Sequence, residues 1–209
     1  MRAERIAMLG GTYDPIHYGH LCLGMKYADV LGLDRIYVVP TRTPPHKLAT
    51  ETPGSMRLEM CRLALESLHD ERFIASDIEL RRDGLSWSYY TVCALREQNP
   101  GAEFYLMVGA DMFLTLETWH RFDELKELVN YCSVPRDESS LEVLKRHAEH
   151  LQSIGCRTTL VEDFEPVPIS STLIRNRIAA GLDIDGLTPP AVVDFIKKNR
   201  LYGDTEVCD

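Results

Sequence analysis

The 209-residue sequence contains no C-x-x-C pair: its six cysteines (Cys22, Cys61, Cys93, Cys132, Cys156, Cys208) are scattered along the chain. That argues against a structural zinc site and a disulfide framework, and reads as reduced cytoplasmic thiols. No apolar run approaches the roughly 18 residues that a membrane span needs. The charged start, Met1-Arg2-Ala3-Glu4-Arg5, leads only into Ile6-Ala7-Met8-Leu9 and does not read as a signal peptide. Positive charge is also scarce, with 23 Lys+Arg against 32 Asp+Glu and a net charge of −9. A body of that sign repels a phosphate backbone, so no nucleic-acid polymer is expected as a partner. A small anion held by a few local cations is compatible with it. The G-x-G-x-x-G dinucleotide fingerprint and the G-K-[ST] of a P-loop are both missing. With no internal repeat, low-complexity tract or long linker, the chain reads as one domain over 1–209, closing in a helical segment at about 170–202.

What is present is alternation. Ile6–Leu9, Ile36–Val39, Phe104–Val108, Tyr131–Val134 and, more weakly, Thr158–Val161 are apolar runs, four of them ending at glycine or proline. Such runs suit strands covered on both faces. Between them, Leu21, Met25, Ala28 and Leu31 recur at helical spacing before Gly32. Met56, Met60, Leu63 and Ala64 form a second stripe, with Thr52 as the expected cap and Pro53 in the first turn. Leu141, Leu144, Ala148 and Leu151 form a third, and Val192, Phe195 and Ile196 a last short one. The pattern predicts an α/β fold with a doubly wound parallel sheet. In such sheets ligands bind where the strands end, near the point at which strand order reverses.

The first strand runs into Gly10-Gly11-Thr12-Tyr13-Asp14-Pro15-Ile16-His17-Tyr18-Gly19-His20. Adjacent glycines let backbone N–H groups approach an anion. His17 and His20, three apart at a helix start, are placed to face one ligand, and Gly19 leaves room between them. Imidazole donates to phosphate oxygens and is able to carry charge near pH 7. Taken alone, the pair reads equally well as an incidental H-x-x-H or as a metal pair lacking its other ligands. The double glycine before it and the helix after it favour the anion. This stretch resembles the G-G-[ST]-[FY]-D-P-x-H-x-G-H signature of the nucleotidyltransferase superfamily, which transfers a nucleotidyl group from a triphosphate to a phosphorylated acceptor.

Later segments extend the resemblance over nearly the whole chain. Pro44-Pro45-His46-Lys47 looks like the P-P-H-K segment of bacterial nicotinate mononucleotide adenylyltransferases, and two prolines stiffen the loop that presents Lys47. Gly109, Asp111 and Trp119 resemble a G-x-D…W block, which implies that Asp111 binds a sugar hydroxyl and that Trp119 stacks on a pyridine ring. Ile169-Ser170-Ser171-Thr172-Leu173-Ile174-Arg175 matches I-S-S-T-x-I-R, a helix opening suited to phosphate with a guanidinium one turn in. Arg57 sits in S-x-R-x-x-M, Arg136 looks like the family's strand-end phosphate arginine, and Leu201-Tyr202 resembles its closing segment. The family's G-x-S-Y-T-x-D-T-L segment is the departure. When Tyr90, Thr91 and Leu95 are aligned to it, the glycine-to-tyrosine spacing is longer than the family's, Cys93-Ala94 replaces Asp-Thr, and Trp87 is an unexplained aromatic.

The resemblance implies a Rossmann-like fold and adenylyl transfer from ATP to nicotinate mononucleotide, giving deamido-NAD and pyrophosphate. His17, His20, Lys47 and Arg175 would stabilise the triphosphate, with Gly10, Gly11, Thr12, Gly19, Ser170, Ser171, Thr172 and Arg136 around it. Tyr90, Thr91, Gly109, Asp111 and Trp119 would hold the acceptor. Mg²⁺ is expected on the phosphates, held by substrate oxygens and water rather than by a protein ligand set. Nicotinamide mononucleotide or phosphopantetheine is the alternative acceptor. A tRNA-charging relative and a catalytically idle nucleotide sensor are the more distant readings.

Overall fold

The structure, a computed structural model, describes residues 2–45, 50–135 and 138–203. Six parallel strands form one sheet: β1 (Arg5–Gly11), β2 (Arg35–Pro40), β3 (Phe73–Ala75), β4 (Glu103–Met107), β5 (Asn130–Ser133) and β6 (Arg157–Leu160). Their spatial order is β3-β2-β1-β4-β5-β6, so the order reverses between β1 and β4. This is the predicted doubly wound sheet, with β3 added; its three residues are too short to show a pattern in sequence.

The strands alternate cleanly between two apolar layers. Ala7, Leu9, Ile36, Val38, Tyr105 and Met107 face one layer. There they meet Leu21 and Tyr27 of α1 (Tyr18–Val30), Met60 and Ala64 of α2 (Gly54–Glu66), and Ile174 of α7 (Ser171–Ala179). Val192 and Ile196 of α8 (Pro190–Lys198) complete that layer. Ile6, Met8, Val39, Phe104 and Leu106 face the other layer. It is built on α3 (Ser88–Gln98), α4 (Ala110–Phe113), α5 (Phe122–Leu128) and α6 (Glu138–Ser153). Each layer removes fully buried Leu, Ile and Phe side chains from water, worth about 1.5–3 kcal/mol apiece before entropy is counted.

Gly32 ends α1 as predicted. Its φ of +58° lets its own N–H reach the Asp29 carbonyl and lets Leu33 N–H reach Ala28, two bonds that satisfy the last turn. Thr52 is not the cap of α2: the helix opens one residue later, with Pro53 at the N-cap. The Thr52 carbonyl instead accepts from the Arg57 guanidinium at 3.1 Å. Among the described residues no helix is long and apolar enough to cross a membrane.

Candidate active site

A cleft of about 360 Å³ opens over the carboxyl ends of β1, β2 and β4, at the point where strand order reverses. Gly10, Gly11, Thr12 and His20 line one side; Gly109, Trp119 and His120 line the other, with Trp87, Ser88 and Tyr89 from the opening of α3. The first loop and the Gly109…Trp119 block, ninety residues apart in sequence, therefore share one cavity.

Local chemistry fixes the histidine pair. His17 is the N-cap of α1, and its backbone N–H donates to His20 Nδ1 at 3.3 Å. Accepting there assigns the proton of His20 to Nε2, which leaves a single N–H donor on the ring. The two rings stack with centroids 3.7 Å apart. Burial holds the His17 imidazole down at about 4; burial, with His17 alongside, holds His20 at about 3. The sequence allows charged imidazoles near pH 7, but the fold makes them neutral donors, because desolvation penalises the cation. The glycines serve packing as well as ligand approach. A Cβ at Gly19 would lie 3.0 Å from His17 Nδ1, and one at Gly11 2.8 Å from the Tyr13 ring. A Cβ at Gly109 would meet nothing within 4 Å, so the bare backbone there opens onto the cleft rather than onto a protein neighbour.

Among the described residues Arg57 is the deepest cation, 2% exposed. It donates to the carbonyls of Thr12 (2.6 Å), Thr41 (2.8 Å) and Thr52 (3.1 Å), joining the loops after β1 and β2 to the start of α2. Burial lowers its pKa, opposed by the nearby Asp14 carboxylate.

The I-S-S-T-x-I-R segment docks against the first loop from outside the cleft. Ser170 caps α7 by accepting from Leu173 N–H, and Ser171 donates to the Pro15 carbonyl at 2.8 Å. Arg175 donates to the Asp14 carbonyl at 2.7 Å and to the Thr172 hydroxyl at 3.3 Å. Its guanidinium thus already holds the loop that carries the histidines. Asp111 is exposed in the single turn of α4, two residues past Gly109. Lys47, with His46 beside it, and Arg136 lie outside the described residues.

The acceptor side differs from the sequence expectation in its register. Trp87 is the N-cap of α3 and faces the cleft with Ser88. Thr91 is fully buried, its hydroxyl donating to Glu79 Oε1 at 2.8 Å and accepting from Arg82 at 3.1 Å. It stands behind the cleft wall rather than in it. Read from Gly84, the pattern G-x-S-Y-T-x-D-T-L falls on Gly84-Leu85-Ser86-Trp87-Ser88-Tyr89-Tyr90-Thr91-Val92 without any insertion. Trp87 then takes the tyrosine position and Tyr90 the aspartate position. Tyr90 is exposed, with its hydroxyl 3.3 Å from His120 Nε2, and His120 stacks on Trp87 at 4.7 Å. Sequence reasoning missed His120; its only signal was adjacency to Trp119.

Comparison with known proteins agrees with this layout. Residues 8–177 match the cytidylyltransferase-like family. A probable nicotinate-nucleotide adenylyltransferase of Oceanobacillus iheyensis is 36% identical over 203 residues, spanning 96% of this chain and 97% of its own. One from Geobacillus thermodenitrificans is 39% identical over 207 residues, spanning 98% and 89%. In fold, the chain is similar to the Plasmodium falciparum nicotinic acid mononucleotide adenylyltransferase complexed with NaAD. That match has a TM-score of 0.71 at 22% identity and covers 95% of this chain and 97% of that one. With strand order, cleft position and end-to-end similarity in agreement, the chain belongs to the cytidylyltransferase-like family, alongside the probable nicotinate-nucleotide adenylyltransferases.

Proposed function

We propose that this chain transfers the adenylyl group of ATP to nicotinate mononucleotide, giving deamido-NAD and pyrophosphate, a step of NAD biosynthesis carried out in the cytoplasm. The observation that carries this reading is the single cleft joining the Gly10-Gly11…His20 loop to the Trp87, Trp119 and His120 aromatic wall across the β1–β4 reversal. One side is a donor surface for phosphate; the other is a platform for a flat ring.

The acceptor phosphate oxygen attacks the α-phosphorus in line. The new P–O bond forms as the bond to the bridging oxygen breaks, and pyrophosphate leaves with that electron pair. No protein nucleophile is required, because phosphoryl-type chemistry runs on positioning and charge stabilisation. Gly10, Gly11, Thr12 and His20 line the wall assigned to the phosphates, with His20 Nε2–H as its ring donor. Arg175 and Ser171 hold the loop in shape from behind, while Ser170 caps α7 and Thr172 accepts from Arg175. Gly109 lets the nucleotide approach, and Asp111, exposed two residues further on, is assigned to a sugar hydroxyl on the family resemblance, although it is not among the residues lining the cleft.

The described cleft lining carries imidazole, hydroxyl and backbone N–H groups with one carboxylate, Glu79, whose Oε1 accepts from Thr91. Mg²⁺ would enter with the substrate as MgATP and neutralise charge on the phosphates. The opening turn of α3 faces the cleft, and the positive end of an eleven-residue helix favours a carboxylate over an amide. That supports nicotinate over nicotinamide mononucleotide. Phosphorus NMR of the chain with MgATP and nicotinate mononucleotide should show pyrophosphate and a new dinucleotide phosphoanhydride rising together. ADP or inorganic phosphate as the primary product would overturn the reading.

A further inference from the structure

The loop bearing both histidines is held mainly by the far end of the chain. Its carbonyls at Asp14, Pro15 and Ile16 accept from Arg175 (2.7 Å), Ser171 (2.8 Å) and Thr188 (2.8 Å). The Asp14 side chain is 5% exposed, and its carboxylate accepts the hydroxyls of Thr50 and Tyr202. The Tyr202 bond is 2.5 Å long and spans 188 residues of sequence. Both tyrosines of this junction are held in left-handed backbone, Tyr13 at φ +51° and Tyr202 at φ +63°. Non-glycine residues keep that conformation only where the surroundings over-determine it, and such residues gather at functional sites.

We propose that Tyr202 is a positioning residue for the nucleotide half of the site: through Asp14 it sets the loop that presents His17 and His20. Tyr202 is not among the residues lining the cleft. Removing its hydroxyl strips one partner from a buried carboxylate, and the loop that follows Asp14 must relax to find another. The His17 N–H that fixes the His20 tautomer belongs to that loop, so the consequence falls on phosphate donation. The acceptor wall of Trp87 and Trp119 belongs to other elements and should not feel it. The inference rests on the adenylyl-transfer reading above.

The test is Y202F in the full chain, followed by steady-state kinetics with each substrate varied and by calorimetric binding of α,β-methylene-ATP. We expect kcat/KM for ATP to fall roughly tenfold or more and analogue binding to weaken alongside, the usual scale for one bond to a charged group. The KM for nicotinate mononucleotide should stay within about twofold. Because Tyr202 acts through Asp14, D14A/Y202F should match D14A within about twofold; if D14A does not fold, D14N takes its place. Unchanged ATP kinetics, equal losses for both substrates or multiplicative losses in the double variant would each overturn the proposal. Analogue binding separates the two readings. A wild-type chain that makes no dinucleotide defeats the adenylyl-transfer reading, while analogue affinity in Y202F still decides the role of Tyr202.

Discussion

At the scale of residues, burial leaves both imidazoles of the first loop neutral near pH 7. The His17 N–H donates to His20 Nδ1, and burial keeps the two pKa values near 4 and 3 against an ordinary 6.5. The unfolded chain therefore binds protons at a higher pH than the folded one. Stability from this pair is complete above pH 6.5 and is lost as the pH falls from 6.5 toward 4, at up to about 1 kcal/mol per pH unit for each histidine. Urea melts across that range should show the slope, and it should be shallower in H20A. The same variant should lose roughly 100- to 1000-fold in turnover at pH 7.5 with native circular dichroism, as expected when one preorganised donor is removed. The positions of His17 and His20 are legible in the sequence, since a double glycine and a helix start frame them. Their charge state is not, because it depends on burial by segments distant in sequence.

At the scale of elements, strand runs and helix stripes are legible wherever they are long. Gly32 announces the end of α1, and Ile6–Leu9 announces β1. The three-residue β3 is too short to show a pattern, and α2 opens after Pro53 rather than Thr52, whose carbonyl accepts from Arg57. The opening of α3 is the instructive miss. Aligning on Tyr90 and Thr91 matches letters, whereas the helix places Trp87 and Ser88 at the cleft and turns Thr91 inward to Glu79. The ungapped register from Gly84 is open in the sequence once Trp87 is allowed at the tyrosine position, and the helical phase agrees with it by turning Trp87 and Ser88 to the cleft. At the start of α4, Gly109 offers a direct probe. Its Cβ position is free of protein atoms, so G109V should fold with a near-normal melting temperature. The valine would stand where substrate must approach, and kcat/KM should fall roughly 10- to 100-fold; normal kinetics would remove Gly109 from the site.

At the scale of the molecule, a net charge of −9 coexists with a site for two anionic substrates. The described part of the cleft meets them with dipoles rather than with a cation cluster. Arg57 and Arg175 lie close by, yet both use their guanidinium groups on loop carbonyls, so they shape the donor surface more than they charge it. Hydrogen bonds from α7, Thr188 and Tyr202 tie the carboxyl-terminal segment to the first loop. Sequence alone shows the motifs at each end but not that one holds the other. The central claim is that this surface serves adenylyl transfer to an acceptor whose ring carries a carboxylate. The most direct measurement is kcat/KM for nicotinate and nicotinamide mononucleotides side by side, with MgATP saturating and pyrophosphate release as the signal. A preference for nicotinate mononucleotide of roughly tenfold or more, the scale of one charge-assisted contact, is predicted. Equal rates, or a preference for the amide, would contradict it.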